Sequence, residues 1–364
     1  MTNTAYLALE NGMVFEGKYF GAAGEITGEI VFATGMTGYL ETLTDQSYHG
    51  QIVLQTFPLI GNYGVIPSDF ESAQIGPTAY IVKHPCQAPS NFRSEGSLDT
   101  FLKRWGVTGL CGIDTRALVK VIRESGVMNG KITGSRPGEE VLEEIRSYRI
   151  HDAVGAVSAR ERKLYKAGAS RYTVALLDFG MKENIKRELL GRGCDVWVFP
   201  WSSTPEEVIS ASPDGIMLSN GPGDPAENTE IIGNLKALLK TGIPIFGICL
   251  GHQLLALANG FETRKLKYGH RGANQPVRDT GSGRVYITSQ NHGYAVQSVS
   301  IDRHVAFESF VNVNDGTCEG ISYKDIPAFS VQFHPEACGG PRDTAFLFDR
   351  FIHSMEVKKN AAGS

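Results

Sequence analysis

Short apolar runs of period two open the chain. Tyr6-Leu-Ala-Leu9 and Met13-Val-Phe15 flank Asn11-Gly12, a dipeptide that tolerates the positive φ angles of a tight hairpin. Gly28-Glu-Ile-Val-Phe-Ala-Thr34, Ile52-Val-Leu-Gln-Thr-Phe57 and Tyr80-Ile-Val82 continue the strand pattern. At Thr115-Arg-Ala-Leu-Val-Lys-Val-Ile-Arg-Glu124 the period lengthens to that of a helix, with Asp114 as N-cap and Gly126 as stop, and another helix is expected within Gly138 to Tyr148. Residues 1–150 therefore predict a mixed α/β domain. Residues 151–171 are small and charged without a sustained period, and read as a linker. From Tyr172 to about 358 the pattern alternates. Strand-like Tyr172–Leu177, Asp195–Phe199, Gly215–Leu218 and Ile243–Phe246 are separated by helix-like Lys182–Leu190, Thr204–Ser210 and Glu230–Leu239. Such βαβ units predict an α/β domain with a mostly parallel sheet and helices on both faces. Ligands collect beyond the carboxyl ends of such strands, so chemistry belongs in the loops after Leu177, Leu218 and Phe246.

Length and composition narrow the classes. A chain of 364 residues is long enough for two domains. An apolar share of 41% with 20% charged residues excludes disordered and fibrous classes. The net charge of −4 supplies no basic field for nucleic acid or an anionic membrane. The N-terminal stretch has no basic n-region. The longest apolar run, around Ile243 to Leu250, is broken by Pro244 and Gly247 and falls short of the ~20 residues that span a bilayer. The six cysteines are scattered without a CxxC pair, which predicts free thiols in a reducing cytoplasm.

One of those thiols stands in a reactive context. Gly247-Ile-Cys249-Leu-Gly251-His-Gln253 follows a strand and opens a helix, which is the nucleophile elbow G-x-S-x-G with Cys in place of Ser. The glycines leave room for a sharp turn, and the positive end of the helix favours the thiolate. A thiolate nucleophile needs a base, and the base an orienter. Val331-Gln-Phe-His334-Pro-Glu336 supplies both. If this stretch is extended, His334 and Glu336 share one face and Glu336 can fix the imidazole tautomer. Ser289-Gln-Asn-His292-Gly-Tyr294 reads as a polar turn whose His292 competes as base, without a carboxylate two residues away. His252 reads as a packed histidine. Leu218-Ser-Asn-Gly221-Pro-Gly223-Asp-Pro-Ala226 formally fits a dinucleotide fingerprint. Asp224 would repel a pyrophosphate, and Pro222 and Pro225 remove N–H donors, so the loop better serves as a partner to the Leu250 N–H in an oxyanion hole. Gly126-Val-Met-Asn-Gly130-Lys131-Ile132 is too short for a P-loop and reads as a hairpin at Asn129-Gly130. No phosphate or metal site emerges.

The elbow together with Phe333-His-Pro-Glu336 resembles the signature of class I glutamine amidotransferases over about Tyr172 to Met355. Within that class, Leu218–Pro225, Lys267-Tyr-Gly-His-Arg-Gly-Ala-Asn274 and Ser289–Tyr294 are similar to the small subunit of carbamoyl-phosphate synthase. So are Gly35-Met-Thr-Gly-Tyr39, Leu43-Thr-Asp-Gln-Ser47-Tyr48, Pro58–Gly64 and Gly112-Ile-Asp-Thr-Arg116, which extends the likeness almost end to end. The resemblance implies hydrolysis of L-glutamine to glutamate and ammonia, with Cys249 as nucleophile, His334 as acid and base and Glu336 as orienter. It implies glutamine contacts at Ser47, Gly221, Gly223, Leu250, Gln253, Asn291, Gly293 and Tyr294, with Ser47 reaching in from the other domain. It also implies a large-subunit partner that turns ammonia, bicarbonate and two ATP, with Mg, into carbamoyl phosphate for arginine and pyrimidine synthesis, and no cofactor on this chain. Two positions depart from the family pattern: Gln46 stands for the usual Pro before Ser47, and Gln275 for a frequent His before Pro276. Three alternatives stay open at this point. One is another class I glutaminase, against which residues 1–150 speak. The others are a stand-alone γ-glutamyl hydrolase and a non-catalytic regulatory subunit.

Overall fold

The computed structural model describes residues 3–363, and the chain divides into two compact units, Met1–His151 and Asp152–Ser364. In the first unit β1 (Thr4–Leu9), β2 (Val14–Gly21), β3 (Ile26–Ala33), β4 (Gln51–Gln55), β6 (Ala79–Val82), β8 (Thr108–Cys111) and β9 (Met128–Thr133) close into a barrel in the order β1-β2-β8-β6-β4-β3-β9, and β5 (Leu59–Ile60) with β7 (His84–Pro85) makes a small second sheet. The helices are α1 (Tyr39–Leu43), α2 (Leu98–Arg104), α3 (Thr115–Ser125) and α4 (Val141–Ser147).

Alternation along the barrel strands sorts side chains into two cores. Ile30, Ile52, Leu54 and Ile81 join Leu118 and Ile122 of α3 in one, whereas Val31, Val53, Tyr80 and Val82 join Leu40 of α1 and Leu102 of α2 in the other. Each such side chain contributes about 1.5–3 kcal/mol when fully buried. The β1–β2 turn falls at Asn11-Gly12, with Gly12 at φ 87°, and α3 is capped by the Asp114 carboxylate accepting from the Ala117 N–H and stopped at Gly126. Asn129-Gly130, expected as a hairpin, lies instead inside β9. There Gly130 pairs with both Leu9 and Gly28, and a Cβ would meet the Ile30 side chain at 2.4 Å. The glycine allows close packing, not a turn.

The second unit holds a ten-stranded sheet in the order β10-β12-β11-β13-β14-β19-β18-β17-β15-β16. Its strands are β10 (Lys163–Tyr165), β11 (Tyr172–Asp178), β12 (Cys194–Pro200), β13 (Gly215–Leu218), β14 (Ile245–Ile248), β15 (Thr263–Asp279), β16 (Val285–Val296), β17 (Ala306–Asn312), β18 (Cys318–Tyr323) and β19 (Ala328–Val331). The run β12-β11-β13-β14-β19 is parallel, as the alternation predicts, and the remaining pairs are antiparallel. Helices cover both faces. Val208 of α7 (Pro205–Ser210), Leu235 of α8 (Thr229–Leu239) and Leu254 of α9 (Leu250–Ala258) pack with Leu177 and Leu218, while Leu189 of α6 (Glu183–Gly191) and Phe351 of α10 (Phe346–Gly363) pack with Leu176 and Phe246.

Of the stretch 151–171, read as a linker, all but His151 is part of this unit. It contains α5 (Ala153–Val157) and β10, an edge strand paired antiparallel with β12. The Ser158 hydroxyl donates to the Asp178 carbonyl and the Ala159 N–H donates to the Asp178 carboxylate, anchoring a segment too short and polar to show a period.

Candidate active site

Cys249 sits between β14 and α9 at φ 54° and ψ −102°, a backbone region that costs a non-glycine residue of order 1–3 kcal/mol. Neighbours force the conformation. The Cys249 N–H donates to the Val331 carbonyl at 2.9 Å, and the Gly251 N–H to the Ser219 carbonyl at 3.0 Å. A Cβ on Gly247 would lie 2.8 Å from the Gly251 carbonyl oxygen, and one on Gly251 would lie 2.5 Å from that of Leu218. Both elbow glycines are therefore sterically required. Leu250 begins α9, so its N–H is among the first-turn amides that lack an intrahelical acceptor.

His334 and Glu336 meet as expected but by another route. β19 ends at Val331, and residues 332–337 bend and turn, with the Ala337 N–H donating to the His334 carbonyl. Proline at 335 cannot continue a ladder, so the tripeptide folds back instead of extending. The His334 Nδ1 lies 2.7 Å from Glu336 Oε1, and the His334 N–H donates to the Ser289 carbonyl. Both side chains are almost wholly buried. Burial and the Lys182 ammonium oppose charging His334, but Glu336 and Cys249 outweigh them and its pKa is pushed up to about 9. Glu336 is desolvated too, yet the His334 and Lys182 charges hold its pKa below the usual carboxylate value. Because Val331 anchors the elbow and β19 leads into the turn, Cys249 and His334 are both fixed by one strand end.

Residues 175–354 match the family model described as glutamine amidotransferase class-I, and residues 7–132 match carbamoyl-phosphate synthase small chain, CPSase domain. The chain is 50% identical to the carbamoyl phosphate synthase small chain of Clostridium perfringens over 96% of its own length and 98% of that protein. It is 48% identical to the one of Syntrophotalea carbinolica over 99% of this chain and 100% of that protein. It is 49% identical to the carbamoyl phosphate synthase pyrimidine-specific small chain of Halalkalibacterium halodurans, over 98% of each. The chain belongs to the carbamoyl phosphate synthase small-chain family.

In this small chain the positions that the resemblance assigns to glutamine fall as follows. Gly221 and Gly223 lie in the loop after β13; a Cβ on Gly221 would meet the Phe179 carbonyl oxygen at 2.2 Å, and Gly223 has φ 88°. Asn291, Gly293 and Tyr294 lie within β16 and not in the turn expected from their composition. Register with β15 makes them strand: Asn291 pairs with Arg271 and Tyr294 with Lys265. The Asn291 carbonyl is 3.7 Å from Cys249 Sγ. Gln253 donates to the Tyr294 carbonyl at 2.8 Å and to Gln332 Oε1 at 2.9 Å, tying α9 to β16. Ser47 belongs to the first unit, in a short 3-10 turn where its N–H donates to the Asp45 carboxylate. Gln46, in place of the family proline, is itself pinned: its amide nitrogen donates to Ser72 Oγ and the Gln74 carbonyl. Gln275 lies in β15, where its carbonyl accepts from the Thr288 hydroxyl.

The rival histidines have other duties. His292 is buried, and desolvation holds its pKa well below the ordinary histidine value. His252 is fully buried with Nδ1 2.8 Å from Ser330 Oγ, and desolvation lowers its pKa to about 3. Residues that the sequence reading missed cluster around the triad. Lys182, in the loop after β11, is buried close enough to act on both His334 and Glu336. The wholly buried Ser219 and Asn220 receive the Phe179 and Lys182 N–H groups on their side chains, clamping that loop to the one after β13. The signal for them was available: two polar residues directly ahead of Gly-Pro-Gly at a strand end.

Proposed function

We propose that this small chain is the glutaminase of a carbamoyl phosphate synthase, with Cys249 as nucleophile, His334 as acid and base and Glu336 as orienter. The single observation carrying the assignment is the buried His334–Glu336 hydrogen bond at the strand end that anchors the Cys249 elbow. The Cys249 thiolate attacks the side-chain amide carbon of L-glutamine. The developing oxyanion is met by the Leu250 N–H and an N–H of the Gly221–Gly223 loop. His334 then gives its proton to the amide nitrogen, the C–N bond breaks, and ammonia leaves a γ-glutamyl thioester on Cys249. A water, deprotonated by His334, attacks the thioester carbonyl; glutamate departs and the sulfur leaves as thiolate. Glu336 holds the ring with Nδ1 as donor throughout and stabilises the imidazolium.

Gly221, Gly223, Leu250, Gln253, Asn291, Gly293 and Tyr294 are the proposed glutamine contacts of the second unit. Ammonia passes to a large subunit, which holds the ATP, Mg and bicarbonate chemistry, so no cofactor is assigned to this chain. Six free cysteines fit a reducing cytoplasm, and no helix among the described residues is long and apolar enough to cross a membrane. Carbamoyl phosphate then serves arginine or pyrimidine synthesis.

The test is Cys249→Ser in the complex with a large subunit. Glutamine-dependent carbamoyl phosphate synthesis is expected to vanish while free ammonia still supports it. A Cys249→Ser complex that uses glutamine would overturn the assignment.

A further inference from the structure

Next to the strand segment that reaches Cys249, the antiparallel wing of the second unit brings together His270 on β15, His292 on β16 and Glu319 on β18. One donor atom from each lies within 4.8 Å of the others. The outward atom of every donor is already engaged. His270 Nε2 is 2.9 Å from the Asp315 carboxylate, His292 Nδ1 is 2.7 Å from the Tyr294 carbonyl, and Glu319 Oε1 accepts from Asn312 Nδ2 at 3.0 Å. An imidazole held by a carboxylate or carbonyl on its far nitrogen is how proteins orient metal-binding histidines. The inward atoms are unsatisfied: His270 Nδ1 and Glu319 Oε2 are buried without a hydrogen-bond partner.

Gln290 sharpens the case. Thr288 spends its hydroxyl hydrogen on the Gln275 carbonyl, so it can only accept from the Gln290 amide nitrogen, which it does at 3.2 Å. The amide is thereby oriented with Oε1 toward His292 Nε2, 3.1 Å away. Since Nδ1 faces a carbonyl and must carry a hydrogen, the neutral ring presents a lone pair at Nε2 to an oxygen lone pair. A cation between the two acceptors relieves it without charging the ring. Two separations are of the right size: the Glu319 carboxylate comes within 3.5 Å of His270 Nδ1 through Oε1, and His292 Nε2 is 3.1 Å from Gln290 Oε1, against the roughly 3.3 Å edge of a tetrahedron with bonds of about 2.0–2.1 Å.

We propose that His270, His292, Glu319 and Gln290 bind a divalent zinc ion that ties together β15, β18 and β16, the strand that also carries Asn291 and Tyr294. Two imidazoles, a carboxylate and an amide oxygen are donors that zinc accepts, and four protein ligands leave no open position, so the site is structural. Glu319 and Asp315 together balance the ion's charge. Sequence spacing hides the site because its donors come from three strands. The competing occupant is a proton on His270. Burial disfavours that charge, but Asp315 and Glu319 outweigh it and push its pKa up to about 9.

Full-length chain loaded with zinc and freed of excess by gel filtration is expected to hold one zinc by elemental analysis. Cobalt(II) in its place should give tetrahedral d–d bands with no thiolate charge-transfer band. Glu319→Gln and His270→Ala should lose the ion, Asp315→Asn should weaken it about 10–100-fold, and Cys249→Ser should keep it. The near-isosteric Glu319→Gln and the outer Asp315→Asn, checked by circular dichroism, separate ligand loss from misfolding. No uptake by the unmodified chain would overturn the proposal and leave the proton as occupant. Uptake that survives in both Glu319→Gln and His270→Ala, or is lost in Cys249→Ser, would equally overturn it, because the metal would then bind elsewhere.

Discussion

His334 is buried, and a buried imidazole ordinarily prefers to be neutral; burial and Lys182 both push that way, yet Glu336 and Cys249 prevail and raise its pKa to about 9. The unfolded chain, with histidine near about 6.5, releases the proton earlier than the folded one. The resulting stabilisation is complete below pH ~6.5 and is lost as pH rises through about 9. Denaturation midpoints should therefore fall between those limits, and Glu336→Gln, which removes a raising charge, should flatten that fall. Kinetics should follow the same sign. The alkaline limb of glutamine turnover is expected near pH 9 and should move to lower pH in Glu336→Gln. A limb that stays in place would show that Glu336 does not set the protonation of His334. Since an orienter costs less to lose than the group it orients, Glu336→Ala should also retain more glutaminase turnover than His334→Ala. Equal losses would give Glu336 a more direct part in the chemistry.

The elbow is the element whose backbone is bent for the sake of its tip. Cys249 at φ 54° and ψ −102° occupies a region open to glycine and strained for other residues. Cys249→Gly and Cys249→Ala both remove the thiol, but glycine also relieves about 1–3 kcal/mol of strain and gives back about 0.4–1 kcal/mol in unfolded-chain entropy. The glycine variant is expected to be the more stable of the two by about 1 kcal/mol in urea denaturation; a more stable alanine variant would mean the turn is relaxed. The elbow was legible because strand, turn and helix all show in seven consecutive residues. Capped α3 was legible for the same reason, with Asp114 and Gly126 marking its ends. Where the partner lies far off in sequence, local chemistry misled. Asn129-Gly130 has turn chemistry, yet Leu9 and Gly28 claim it for the barrel. The Ser289–Tyr294 stretch has turn composition, yet β15 pairs it as strand.

Across the whole molecule, Cys249, His334 and Glu336 could be read from two short strings, whereas Lys182 could not, since its place beside them arises only when the loops after β11 and β13 are clamped together through Asn220. That clamp bears on regulation. Ser219 holds both the Phe179 N–H and, through its carbonyl, the Gly251 N–H, while Gly221 packs against the Phe179 carbonyl. The loop after β13, proposed to supply an oxyanion donor, thus moves with the first turn of α9, which supplies the other. A shift of about 1 Å in such donors can cost about a hundredfold in rate. Unchecked hydrolysis would waste glutamine and release ammonia with no acceptor at hand, so control through a partner subunit acting on this clamp is the economical arrangement. The isolated chain is expected to hydrolyse glutamine slowly. Adding the large subunit with bicarbonate and ATP should raise turnover at least tenfold, equivalent to about 1.4 kcal/mol of barrier. Glutamate release by the purified chain, alone and in the complex, measures it. Ser219→Ala should shrink the ratio between the two rates, because it removes the hydroxyl that holds the loop after β11 to the loop after β13. A free chain already at full speed would refute the coupling and favour an enzyme that turns over without a partner.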